Sequence, residues 1–337
     1  MTINSKACEF AELFLSRATL YTKNYGISKS ISFGSESVKL FINQGTYFGN
    51  LISSAFLDSN LSDKLCKFDL HIWDSSFPDS IPNFDWANEF IFSNQVISFE
   101  LSNPYRILFD RGQGMISVFD TKSNIGAVWM RDHSQLDARC FISPFRTIMS
   151  WIANSFGGEI IHASGVSIND EGFLISGPSG SGKSTLALYA ALNGGSIIAD
   201  DAVLYLDQKL YPIYSRAKIS NDNSLLPTDK YNLVELVGSD HSKKYFSLED
   251  LSVNFAKESK MSGFVFPSIS DMSHIEKVEF DVGAKYLLNH SLRELFGGLA
   301  ENKLRLILML KKYDSYRMAL SGDLDKDYKK LLEVINI

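Results

Sequence analysis

The sequence predicts a mixed α/β (α+β) protein in two parts, and three observations carry that expectation. From about Lys29 to Met130, short segments alternate apolar and polar residues between Gly, Asn, Asp or Pro, the pattern of half-buried strands. After Ser143 an apolar strand runs into a glycine-rich loop and then a helical pattern. Helical periodicity also marks both ends, at about Asn4–Leu20 and Asp325–Val334. The expected boundary lies near residue 140: residues 1–140 form a strand-rich N-terminal recognition or packing domain, and residues 141–337 a second domain.

In order, Phe10, Leu13, Phe14 and Leu20 recur at helical intervals in the first segment. Strands follow at SISFG, KFDLHIWD, QVISFELS, YRILFD, MISVFD and GAVWM, with a hairpin turn at Arg111–Gly114. Aromatics such as Tyr21, Tyr25, Phe48, Trp73, Phe84 and Trp86 are common here; such residues more often fill a core than a binding surface. Ser143 can cap a helix with Pro144 in its first turn, and Gly157-Gly158 end it. A strand over Glu159–Ser167, a turn at Asn169–Gly172 and a strand over Phe173–Ile175 come next. Lys183–Asn193 reads as a helix and Ser196–Ala199 as a buried strand. Further strands are expected near Val203–Leu206 and Val278–Phe280, and a helix over Leu292–Leu310.

The bulk composition narrows the classes. Of 337 residues, 45% are hydrophobic and 21% charged, as in an ordinary globular protein. A net charge of −6 gives no support to a nucleic-acid or membrane-surface partner. Cys8, Cys66 and Cys140 fit neither a disulfide framework nor a zinc cluster. The N-terminus lacks a signal-peptide pattern, and no apolar run approaches the roughly 18 residues of a membrane span. A cytoplasmic location is expected, with room for a homo-oligomer.

Gly177-Pro178-Ser179-Gly180-Ser181-Gly182-Lys183-Ser184 matches G-x-x-x-x-G-K-[ST], and Thr185 follows. Glycines let backbone N–H groups turn inward around phosphate oxygens, and the next helix aims its positive end at the same anion. Lys183 is placed for the β- and γ-phosphates and Ser184 for Mg²⁺. The expected ligand is a nucleoside triphosphate, ATP, with Mg²⁺.

Asp200 and Asp201 stand seventeen and eighteen residues beyond Lys183, at the end of a buried strand. Neighbours on a strand point to opposite faces, so both reach one phosphate only if the strand ends there. One acid can then hold the metal while the other accepts a proton from an incoming hydroxyl; either can instead cap a turn.

The run His162-Ala-Ser-Gly-Val, the loop GPSGSGKST and Ala199-Asp200-Asp201 resemble HPr kinase/phosphorylase and the HPr-kinase-like serine kinases. Their P-loop subfamily is shared with phosphoenolpyruvate carboxykinases. The resemblance covers about Ser143–Leu206 and includes the fifteen-residue spacing from His162 to Gly177. It implies a P-loop kinase core of that type, with Asp201 at the position of the proton acceptor and His162 at that of an active-site histidine. Lys183 and Ser184 fall on the phosphate and Mg²⁺ contacts. With Asp201 in that place, Asp200 is the acid of the pair expected to hold the metal. Alone, His162 in an apolar strand would read as a hydrogen-bonded core residue.

One departure is plain. The family's downstream Arg-Gly-Leu-Gly signature has no match between Asp207 and Phe266, which speaks against phosphorolysis and against HPr as substrate. Arg216, Lys218, Lys243 and Lys244 are candidate γ-phosphate cations, with Lys243-Lys244 the most attractive pair. The expected activity is a kinase acting on a hydroxyl, a serine of a peptide or protein foremost. A small-molecule kinase on the same core, and a P-loop ATPase switch without phosphotransfer, are the alternatives.

Overall fold

The computed structural model describes residues 3–43, 47–57, 66–75, 96–100, 104–110, 112–131, 138–220, 243–248, 254–291 and 299–335. Phe84 and Trp86 lie outside them. The chain divides into two compact units, Met1–Phe156 and Gly157–Ile337.

The first unit contains α1 (Ile3–Tyr25), β1 (Gly26–Phe33), β2 (Glu36–Asn43), α2 (Tyr47–Ser53), β3 (Phe68–Asp74) and β4 (Val96–Glu100). β5 (Tyr105–Asp110), β6 (Met115–Asp120), β7 (Ile125–Met130), α3 (Ala138–Ile142) and α4 (Arg146–Ser155) complete it. Its seven strands among the described residues pair in the order β1-β2-β3-β7-β6-β5-β4, with β2–β3 and β3–β7 parallel. Alternation along the strands decides what each face buries. Trp73 and Trp129 lie in register on the face where α1 packs Phe10, Ala11 and Phe14. The opposite face receives α4, whose Ile148 would meet a Cβ at Gly126 at 3.0 Å. Trp73 is therefore a core residue.

That packing corrects the expected boundary. α4 belongs to the first unit, so the division falls at Phe156/Gly157 and not near residue 140. The N-cap position falls on Phe145 and not on Ser143: α4 opens after Phe145, which lies in the left-handed region (φ 59°). Pro144 disfavours helical backbone at Ser143, so α3 ends before it and the chain must turn before α4 begins.

The second unit contains β8 (Glu159–Ile161), β9 (Ser164–Ile168), β10 (Glu171–Ile175), α5 (Lys183–Leu192), β11 (Ser196–Ala199), β12 (Val203–Leu206) and β13 (Lys209–Pro212). It continues with β14 (Arg216–Ser220), β15 (Lys243–Ser247), β16 (Asn254–Phe255), β17 (Ser259–Ile269), β18 (His274–Lys277) and α6 (Phe280–Ser291). α7 (Leu299–Lys312), β19 (Asp314–Leu320) and α8 (Leu324–Ile335) close it. The main sheet runs β16-β11-β9-β10-β17-β13-β12-β8, with β19 parallel to β17 and β18 antiparallel to β19. β14 and β15 form a separate ribbon.

Leu186, Ala187 and Ala190 of α5 and Leu331 of α8 pack with Val166, Ile175, Val265 and Met318. Leu287 of α6 and Leu306 and Leu310 of α7 pack with Leu174, Ile198, Phe264 and Phe266. Those two sets of sheet residues point to opposite faces, so the sheet is sandwiched between helices. Three expectations shift. The strand over Glu159–Ser167 is two strands broken at His162–Ala163, and Phe280 opens a helix where a strand was expected. Of the expected helix over Leu292–Leu310, residues 292–298 lie outside the described residues. Among the described residues no helix is long and apolar enough to cross a membrane.

The break at His162 follows from topology. β8 stands at one end of the pairing order and β9 near the other, yet only two residues join them, so the sheet curls strongly. β11 and β12 are likewise distant in that order and joined by Asp200–Ala202 alone. Both connections cross between the halves of the curled sheet, and this brings His162 beside the aspartates.

Candidate active site

The loop after β10 is held from both sides. The Ser176 N–H donates to Val265 O at 2.9 Å, fastening the end of β10 to β17. A Cβ at Gly177 would lie 3.0 Å from Ser181 Oγ and 3.5 Å from Pro267 O. Gly180 and Gly182 have φ of 81° and 94°, a region L side chains rarely adopt. A Cβ at Gly182 would also sit 2.5 Å from Leu320 Cδ1, which leaves glycine as the residue that fits. The Leu186 N–H donates to Gly182 O at 2.9 Å, so the loop turns directly into α5.

The loop fits a phosphate on three counts. The first turn of α5 contains no acidic residue of its own, and the helix dipole turns its positive end toward the loop. Lys183 is 8% exposed, and its ammonium donates to the carbonyls of Gly177 at 2.8 Å and Pro178 at 2.9 Å. Ser181 Oγ is buried without a hydrogen-bond partner among the described residues, an unmet polar group in the cradle itself. The expected Gly177–Thr185 set is thus contiguous around one loop, with Ser184 and Thr185 opening α5.

Asp200 and Asp201 follow the last residue of β11, and both are 1% exposed. Asp201 lies in the left-handed region (φ 73°), so the two side chains leave a turn and not a continuing strand. Asp200 Oδ1 accepts from Ser184 Oγ at 2.8 Å and from Ser164 Oγ at 2.6 Å; its Oδ2 accepts the Lys218 N–H at 3.1 Å. Asp201 is paired with the Lys218 ammonium. His162 Nδ1 stands 2.9 Å from the Asp201 carbonyl and 3.7 Å from its carboxylate. A carbonyl only accepts, so Nδ1 carries the hydrogen in that bond. Ser176 Oγ donates to His162 O at 3.3 Å, tying the β8–β9 junction to the start of the loop.

Every expected site residue therefore lies in one region: the loop, Ser184 with Asp200, and His162 with Asp201. Of the candidate cations, Lys218 reaches it. Arg216 is buried on the same strand, while the side chains of Lys243 and Lys244 lie outside the described residues. Ser164 was not anticipated. Its signal was a hydroxyl residue two positions after His162.

The donor set suits Mg²⁺ held by few protein groups. Among the described residues no cluster of three His, Cys, Asp or Glu side chains can hold a metal alone. Mg²⁺ commonly takes one or two protein oxygens and completes its octahedron with water and substrate phosphates. Ser184 Oγ and Asp200 form such a pair.

No protein-family model and no curated protein sequence matches the chain. A solved structure, the Hpr(Ser) kinase/phosphatase from Coxiella burnetii, matches over 53% of this chain and 98% of its own. The identity is 11% and the TM-score 0.24.

Proposed function

We propose that the second unit is an ATP- and Mg²⁺-dependent kinase that transfers the γ-phosphate to a hydroxyl, foremost a serine of a peptide or protein. The carrying observation is the contact of Ser184 Oγ with Asp200 at 2.8 Å, with Asp201 one residue further and differently engaged. A site meant only to hold a metal needs one such acid. This one has a second, buried carboxylate on the adjacent turn.

Backbone N–H groups of Gly180–Thr185 hold the phosphates and Lys183 neutralises them; Ser184 and Asp200 hold Mg²⁺. The metal, when bound, offsets the charge that builds on the phosphate oxygens. Asp201 takes the proton as the acceptor oxygen bonds to the γ-phosphorus and the β–γ bridging P–O bond breaks, releasing ADP. His162, through Nδ1, holds the Asp201 carbonyl and with it the strained turn that aims the carboxylate.

The test is incubation with γ-labelled ATP, Mg²⁺ and a serine-containing peptide library. Acid-stable, alkali-labile label on peptide is expected. Label released only as free phosphate would indicate an ATPase switch instead.

A further inference from the structure

We propose that Ser164 is a positioning residue for the metal site, acting through Asp200; this rests on the kinase reading above. Ser164 is the first residue of β9, fully buried, and its hydroxyl donates to Asp200 Oδ1 at 2.6 Å. The same oxygen accepts from Ser184 Oγ at 2.8 Å, while Oδ2 accepts the Lys218 N–H. The carboxylate is thus gripped by three elements: β9, the first turn of α5, and β14.

The consequence is directional. A hydroxyl has one hydrogen and two lone pairs. When Ser184 spends its hydrogen on Asp200 Oδ1, its lone pairs face away from that oxygen and remain available to a metal. The direction holds only while Oδ1 is held still. The other bond to Oδ1 comes from Ser164, so removing that hydroxyl frees Asp200 to rotate about the remaining contacts and loosens the aim of Ser184. Groups that orient metal-binding residues in this way typically matter by about 10- to 100-fold in metal affinity.

The same strand supplies a control. Ser167 is also a buried serine of β9, but its hydroxyl bonds to Ser259 Oγ at 2.8 Å. Ser167→Ala removes a buried hydrogen bond of similar kind without touching Asp200.

Binding of ATP to the full-length protein is measured by calorimetry with excess Mg²⁺ and again in EDTA, and Mn²⁺ affinity by paramagnetic resonance. Ser164→Ala is expected to weaken Mn²⁺ binding and Mg²⁺-dependent ATP binding by about tenfold or more, with metal-free ATP binding within about twofold of wild type. Ser167→Ala is expected to leave all three unchanged. Should Ser164→Ala keep wild-type metal affinity, or weaken metal-free binding as strongly as metal-dependent binding, the positioning role is overturned. A matching loss of metal affinity in Ser167→Ala overturns it too, because the effect would then belong to the strand. Wild-type protein that binds ATP in neither condition overturns the kinase reading itself.

Discussion

Ser184 Oγ lies 2.8 Å from Asp200 Oδ1, joining a helix residue to an acid sixteen positions later on a different element. The contact crosses from the first turn of α5 to the end of β11. The two aspartates are engaged differently, because the Asp201 carboxylate meets the Lys218 ammonium and His162.

Lys183 should govern nucleotide affinity. Its ammonium lies over the loop carbonyls, where it can trade those acceptors for phosphate oxygens. Lys183→Ala is expected to weaken ATP binding by about 10- to 100-fold, the scale of one or two lost charged hydrogen bonds. Wild-type affinity and turnover in that variant would remove the loop from the site.

Lys218 should stabilise the second unit through Asp201. Asp201 is almost fully buried, so Lys218→Met leaves a carboxylate without its ammonium. The ammonium is partly exposed, which reduces the expected cost to about 2 kcal/mol. Adding Asp201→Asn removes the stranded charge, so the double variant should be more stable than the sum of the single effects. Urea unfolding of the four proteins measures this, and strict additivity would contradict the pairing.

The first unit should lose stability in mild acid because of His71. Burial, with Lys23 adding to it, lowers its pKa to about 4. Its Nδ1 meets Thr22 Oγ1 at 2.6 Å, Phe41 stacks on the ring at 4.8 Å, and Nε2 has no partner among the described residues. The folded state resists a proton that the unfolded state takes up from about pH 6.5 downward. Stability is therefore full above about pH 6.5 and falls as pH drops toward 4. The loss from this group at pH 5 is about 2 kcal/mol. His71→Gln should flatten the fall between pH 7 and pH 5 in denaturant titrations; an unchanged slope would assign the effect elsewhere.

Much of the site was legible in the sequence because its parts are local. The loop needs particular glycines at particular steps, and the strand–loop–helix order announces itself. The role of Lys218 was not singled out, since only the placement of β14 brings its side chain to Asp201. The fold was less legible where breakers sit inside strands. β17, which pairs with β10, reads SKMSGFVFPSI; Gly263 and Pro267 hide it as a strand. β19 was likewise not anticipated. At Val278–Phe280 a single apolar–acidic–apolar triplet was too brief to reveal its period, and Asp281 in the first turn of α6 marks the helix instead. The boundary shifted because α4 follows the strands in sequence yet packs on their sheet.

The direction of transfer should be one way. The downstream Arg-Gly-Leu-Gly signature is missing, and a hydroxyl acceptor suits a base at Asp201. Excess inorganic phosphate added to phosphorylated product should yield no pyrophosphate; its appearance would restore phosphorolysis.

The most direct measurement compares Asp201→Asn with Asp200→Asn for ATP binding and phosphate transfer. Asn tolerates the left-handed backbone at position 201, so the turn is kept while the proton acceptor is lost. Asp201→Asn is expected to bind Mg²⁺-ATP within about twofold of wild type and to lose transfer by about 100-fold or more. Asp200→Asn should chiefly raise the Mg²⁺ concentration required. Equal and mild effects from the two substitutions would contradict the division of labour, and with it the kinase mechanism.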